Sequence, residues 1–162
     1  MPIKVGDKLP NATFRIMTSE GLKALTTDEI FKGKKIVLFA VPGAFTPTCH
    51  KNHLPGFMKN AAAIKAKGVD QIAVTSVNDA FVMDAWKRES GAEGQIDLFL
   101  ADGNAEFARA IGLDSDDSER GRGIRSQRYS MVVEDGVLKS INVEETAGKA
   151  EISGAENLMK QL

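Results

Sequence analysis

The 162-residue chain holds a single cysteine, Cys49, and that scarcity limits its chemistry at once. One thiol makes no intramolecular disulfide, no Cys-x-x-Cys pair and no cysteine-based zinc site. Any redox cycle at Cys49 must therefore take its second thiol from another molecule. An excess of one charge is also missing: 21 Lys and Arg against 22 Asp and Glu leave a net charge of −1. That balance provides no electrostatic footprint for nucleic acid or for an acidic membrane surface. No run approaches the roughly 18 apolar residues of a spanning helix, and the start, MPIKVGDKLP, lacks an apolar leader segment. The expected location is cytoplasmic. Repeats, low-complexity tracts and linker-like stretches are absent too, so the length suits one domain, 1–162, with a sizeable core. The two histidines and scattered carboxylates have no metal-ligand spacing, and neither metal nor bound cofactor is expected. A lone intracellular cysteine is ordinarily an inert packing residue, so the residues around it have to argue otherwise.

What is present is a succession of short apolar runs separated by turns. Ile36 to Val41 is a continuous apolar run rich in β-formers, the pattern of a strand buried on both faces. The polar turn Lys32 to Lys35 precedes it and the breaker pair Pro42-Gly43 follows. Leu54, Phe57, Ala61 and Ile64 are spaced for one helix face, with Pro55-Gly56 expected to kink that helix and Gly68 to end it. Gln71 to Val77 reads as a second strand, and Asn78-Asp79 as the cap of a helix whose stripe holds Phe81, Val82, Ala85 and Trp86. Ile96 to Leu100 is a third strand. A turn at Asp102-Gly103-Asn104 leads to a short helix through Phe107 and Ile111, closed by Gly112. Ser115 to Gln127 is polar and charged, a surface loop. Tyr129 to Val133 and Val137 to Val143 form a hairpin about Asp135-Gly136, and Ala155, Leu158, Met159 and Leu162 mark a closing helix. Alternation of this kind implies an α/β fold: a largely parallel central sheet flanked by helices and finished by an antiparallel pair. Reactive crevices in such sheets lie beyond the carboxyl ends of the strands, where Cys49 falls.

Thr46-Pro47 reads as an N-cap followed by proline at the first helical position, which makes Cys49 the third helical residue. Its backbone N–H then lacks an intrahelical acceptor, and the positive end of the helix favours a thiolate there. His50, Lys51 and His53 can add positive charge nearby, and the tertiary structure decides which of them face the sulfur. The Thr46 hydroxyl, three residues earlier, can reach the Cys49 N–H or the sulfur. Pro42 and Pro47 are expected to restrict the loop and shield the sulfur.

The segment Pro42-Gly43-Ala44-Phe45-Thr46-Pro47-Thr48-Cys49 matches the P-x-x-x-T-x-x-C motif of the peroxiredoxins, and VPGAFTPTCHKNHLPGF resembles their type II, or peroxiredoxin-5-like, subfamily. Ile3 to Asp7, Val77 to Val82, and Arg128 to Val133 with Asp135-Gly136 extend the resemblance over nearly the whole chain. It implies a thioredoxin-like fold with a central mixed sheet, and a thiol peroxidase acting on hydrogen peroxide and organic hydroperoxides through a Cys49 sulfenic acid. It also implies a remote arginine across the pocket, a place occupied by Arg128, with Arg125 the competitor. His53 matches a supporting histidine of type II members; His50 is as readily solvent-facing. Phe45 is expected in the core or an interface, and Phe81 and Trp86 in packing. A homodimer is implied, with Phe45 and the Asn78 to Phe81 turn as contacts.

Some type II relatives carry a resolving cysteine before the final helix. The corresponding segment here, Lys149 to Gly154, has no thiol. The resemblance thus points to an external reductant: glutathione with glutaredoxin in preference to thioredoxin. Two rival readings remain open from sequence. One is a cysteine hydrolase pairing Cys49 with His50 or His53, although such enzymes separate nucleophile and base in sequence. The other is a redox sensor, distinguished from an enzyme by the absence of multiple turnovers.

Overall fold

The strand β3 (Lys35–Ala40) shows how the sequence builds the centre of the molecule. In the computed structural model, which describes residues 2–146 and 148–162, Val37 and Phe39 enter one core while Ile36, Leu38 and Ala40 enter another. Alternation of side chains along a strand does this without alternation of polarity, because both faces are covered. β4 (Gln71–Ser76) runs parallel to β3, and β5 (Leu98–Ala101) runs parallel to β4. On the other side of β3, β8 (Tyr129–Glu134) is antiparallel to it, and β9 (Val137–Val143) is antiparallel to β8. The hairpin turn between them has φ of +50° at Asp135 and +77° at Gly136, both in the left-handed region that a tight two-residue connection requires.

The opposite edge comes from the first thirty residues, where the sequence pattern suggested no element. β1 (Thr13–Thr18) and β2 (Gly21–Thr26) form an antiparallel hairpin, and β1 lies beside β5. The seven-stranded order is β2-β1-β5-β4-β3-β8-β9. The sheet is the mixed one that the family resemblance implies, with a smaller parallel part than the alternation of strands and helices suggested by itself. Parallel pairing needs a crossover, and only the connections from β3 to β4 and from β4 to β5 supply it.

Helices α2 (Leu54–Ala66), α3 (Ala80–Ser90) and α5 (Ala155–Met159) cover one face. There Leu54, Phe57, Ile64, Met83, Trp86 and Leu158 join the cluster that contains Val37 and Phe39. On the other face α1 (Thr27–Phe31) and α4 (Glu106–Ala110) supply Ile30, Phe31 and Phe107. A reciprocal capping box between Thr26 and Glu29 starts α1, a T-x-x-E signature present in the sequence. Asp79 caps α3 by accepting the Val82 N–H at 2.9 Å.

Two readings of the surface change. The expected Ser115 to Gln127 loop overlaps a two-stranded ribbon, β6 (Asp114–Asp116) with β7 (Ile124–Ser126); three-residue strands carry no apolar period to read. Phe81 does not share the packing of Trp86. It is 65% exposed whereas Trp86 is fully buried, because five residues rotate a helix position by about 140°. Met83, three residues from Trp86, takes the buried position instead. Among the described residues, no helix is long and apolar enough to cross a membrane.

Candidate active site

Beyond β3 the chain stays in register for one more residue, the Val41 N–H donating to the Thr75 carbonyl at 3.1 Å, and then turns. Pro42, Gly43 and Ala44 are buried in this turn. The Ala44 N–H donates to Asn78 Oδ1 at 3.0 Å, and the Ser76 hydroxyl donates to the same oxygen at 2.6 Å. Asn78 thus anchors the turn, while Asp79 alone caps α3. Phe45 follows with φ of +66°, a conformation that side-chain-bearing residues adopt only when their surroundings impose it. Phe45 is 43% exposed, so it is not a core residue.

Pro47 is the first helical residue, as expected, and is exposed; of the two prolines, Pro42 is the one buried beside the site. The Thr46 carbonyl accepts the His50 N–H at 2.8 Å. The Thr46 hydroxyl lies 2.7 Å from the Gly43 carbonyl and 2.9 Å from Cys49 Sγ, so its one proton is divided between an oxygen and the sulfur. Residues Cys49–His53 form a π turn in which the Leu54 N–H bonds the Cys49 carbonyl. The break expected at Pro55 takes this form, a widened turn that gives the ring room against the preceding carbonyls.

Cys49 is fully buried. Arg128, the residue before β8, is buried too and brings Nη2 to 2.9 Å from Sγ. A guanidinium only donates, so the sulfur accepts, and a negatively charged sulfur accepts such a bond best. Arg125 does not compete for this place. Its Nη1 donates to the Val77 carbonyl at 2.9 Å and its Nε to the Arg122 carbonyl at 3.0 Å, which makes it a strut at the rim.

His53 completes the buried group. Its Nδ1 is 3.0 Å from Arg128 Nη1 and its Nε2 is 3.0 Å from the Ser153 carbonyl. Because the guanidinium donates, Nδ1 accepts and the ring proton sits on Nε2, directed at Ser153. Burial first, and the charge of Arg128 second, push the His53 pKa down to about 3, so the ring is neutral near pH 7. Of the neighbours that could have faced the sulfur with positive charge, Lys51 is exposed and His53 is neutral; the cation at the sulfur is Arg128. His50 is half-buried rather than merely solvent-facing. Its Nδ1 accepts the Trp86 Nε1–H at 3.0 Å, and its ring centre lies 5.7 Å from that of Phe45.

A cavity of about 190 Å³ reaches Arg128, lined by Pro42, Asp117, Arg125, Gln127 and Glu144 among others. Asn78, Glu144 and Ser153 had no assigned role from sequence at this site. Asn78 reaches Ala44 and Ser153 reaches His53 across 34 and 100 residues, and the nine residues between Glu144 and Ser153 form no regular spacing that a sequence pattern would show.

The Redoxin family profile matches residues 4–159. The chain is 51% identical to Peroxiredoxin-2E-2, chloroplastic, of Oryza sativa subsp. japonica, over 99% of this chain and 72% of that protein. It is 46% identical to Peroxiredoxin-2C of the same plant over 99% of both. A crystal structure of reduced Prx3 in complex with H2O2 from Vibrio vulnificus superposes with a TM-score of 0.92 at 51% identity, covering 98% of each chain. The chain belongs to the Redoxin family and is a peroxiredoxin of the type II, one-cysteine kind, a thiol-dependent peroxidase with a thioredoxin-like fold.

Proposed function

We propose that Cys49 is the peroxidatic nucleophile and that Thr46, Arg128 and Pro42 form its immediate machinery, with His53, Phe45 and Pro47 in support. The observation that carries this reading is the convergence of two donors, Arg128 Nη2 and the Thr46 hydroxyl, each 2.9 Å from the only sulfur of any cysteine in the chain. The thiolate attacks one peroxide oxygen and the O–O bond breaks. The other oxygen leaves with the bonding pair and takes a proton as water or alcohol, and the sulfur is left as sulfenic acid. Negative charge moves from sulfur to the departing oxygen, and the planar Arg128 fork spans both atoms during that transfer. The Thr46 hydroxyl, able to donate and accept, orients the two unlike peroxide oxygens.

The sulfenic acid then condenses with an external thiol, releasing water and forming a mixed disulfide. A second thiol attacks that disulfide, restoring Cys49 and releasing the oxidised reductant. Glutathione with glutaredoxin is the favoured reductant and thioredoxin the alternative, in antioxidant defence in the cytoplasm. No cofactor is required beyond the reductant. The sulfur is fully buried, so a thiol of that size reaches it only when the turn carrying Cys49 opens.

The assembly proposed is a homodimer. Phe45 and Phe81, 43% and 65% exposed, lie on segments tied by the Ala44–Asn78 hydrogen bond, and these exposed rings are the apolar groups assigned to contact with a partner copy.

The test is peroxide consumption with glutathione–glutaredoxin and with thioredoxin, for wild type and Cys49→Ser. Turnover is expected with the first pair and is absent from the variant. Wild-type turnover with neither reductant would sink the cycle; a single oxidation event per sulfur would indicate a sensor instead.

A further inference from the structure

Four buried or half-buried residues from four separate segments close a ring of hydrogen bonds behind Arg128. The Glu144 N–H donates to the Arg128 carbonyl at 2.9 Å. The Glu144 carboxylate oxygen Oε2 accepts both the Ser153 N–H, at 2.7 Å, and the Ser153 hydroxyl, at 2.6 Å. The Ser153 carbonyl accepts from His53 Nε2 at 3.0 Å, and His53 Nδ1 accepts from Arg128 Nη1 at 3.0 Å. The other guanidinium nitrogen, Nη2, reaches Cys49 Sγ.

Every direction in this ring is forced. Carbonyls and a carboxylate accept, backbone N–H groups and guanidinium donate, and the histidine, the one member that could reverse, has a donor-only group on one side and an acceptor-only group on the other. We infer that Glu144 is a positioning residue for the peroxidase site: by clamping Ser153 it fixes the His53 tautomer, and through His53 it aims the Arg128 fork at Cys49. The inference rests on the proposed role of Cys49 and extends it to a residue that touches neither sulfur nor peroxide.

The chemistry explains why a carboxylate occupies position 144. Ser153 is fully buried, and its N–H and hydroxyl aim at a single oxygen; a charged acceptor holds two donors where a neutral one holds them less tightly. With that clamp lost, the segment before α5 is free to shift its carbonyl. The His53 ring can then place its proton on Nδ1, where it would face the guanidinium donor and push Arg128 off the sulfur. A neutral ring, in keeping with the low pKa of His53, leaves the choice of tautomer to these neighbours alone.

The test combines kinetics and spectroscopy on the full chain. Glu144→Ala should lower the second-order rate of Cys49 oxidation by hydrogen peroxide about tenfold, the worth of roughly one hydrogen bond. Glu144→Gln, which keeps an acceptor oxygen, should recover to within about threefold of wild type. The double variant Glu144→Ala, His53→Ala should be no slower than the slower single variant, because both act on one path. Side-chain 15N shifts of His53, assigned against His50→Asn, should report the Nε2–H tautomer in wild type and a mixture in Glu144→Ala. Multiplying effects in the double variant, or a wild-type tautomer in Glu144→Ala, would overturn the inference. If Glu144→Ala fails to fold, Ser153→Ala, which keeps both backbone groups, should give a smaller loss with the same non-additivity, and additivity there would overturn it equally. A wild-type protein inert to peroxide would refute the proposed function while the tautomer measurement still tested the ring.

Discussion

Arg128 Nη2 lies 2.9 Å from Cys49 Sγ across 79 residues of chain, both side chains buried. The contact joins the residue before β8 to the first turn of the helical segment after β3, and the antiparallel pairing of β3 with β8 makes it possible by setting Ala40 opposite Tyr129.

That geometry predicts a sharp division between two arginines. Arg128→Lys should slow sulfenic acid formation by about a hundredfold, since an ammonium replaces a planar fork. Arg125→Ala, which removes a strut to the Val77 carbonyl, should cost much less. Stopped-flow oxidation with Trp86 fluorescence as the reporter measures both, and equal losses would contradict the division.

Replacing the hydroxyl beside the sulfur separates donor from volume. Thr46→Val removes the hydroxyl donor from the Gly43 carbonyl and leaves Cys49 Sγ with Arg128 alone, and should reduce the peroxide rate by about 10². Thr46→Ser keeps the donor and should retain most of the rate. Similar kcat/KM for peroxide in the two variants would show that the hydroxyl is dispensable.

His53 predicts an acid limb in stability. Its folded pKa, about 3, lies below the ordinary 6.5, so between those values the unfolded chain binds a proton that the native chain does not. Stability is therefore complete above about pH 6.5 and falls as pH drops toward 3, by at most about 1.4 kcal/mol per pH unit from this group. Urea unfolding at pH 7, 5.5 and 4.5 should show a shallower fall for His53→Gln than for wild type. An unchanged slope would mean that the buried ring is not what titrates.

The exposed aromatic pair predicts an assembly change. Phe81→Glu places charge at one of the two exposed aromatics assigned to the proposed dimer contact and should convert that dimer to monomer in sedimentation velocity. A wild-type monomer, or a variant that still dimerises, would rule out this surface.

Much of the frame was legible because burial writes a period into sequence. The run Ile36 to Val41 announced β3, Asp135-Gly136 announced the hairpin of β8 and β9, and Thr46-Pro47 marked the helix start that carries Cys49. Phe81 misled because it sits near Trp86 in the chain but about 140° away around the helix. The ribbon of β6 and β7 and the hairpin of β1 and β2 left little trace, since short or partly exposed strands lack a clean alternation. His53 looked like a source of charge, and only its burial against Arg128 made it neutral.

The sequence by itself determined that one thiol exists, that it begins a helix after a buried strand, and that any second thiol comes from outside. Those are local or compositional properties, set by residue identity and short spacing. The tertiary structure decided which arginine meets the sulfur, which histidine tautomer holds that arginine, and that Glu144 and Ser153 stand behind both. Those relations join segments from nine to 100 residues apart, and their hydrogen-bond directions exist only once the β3–β8–β9 pairing and the packing of the segment before α5 have brought the groups within about 3 Å.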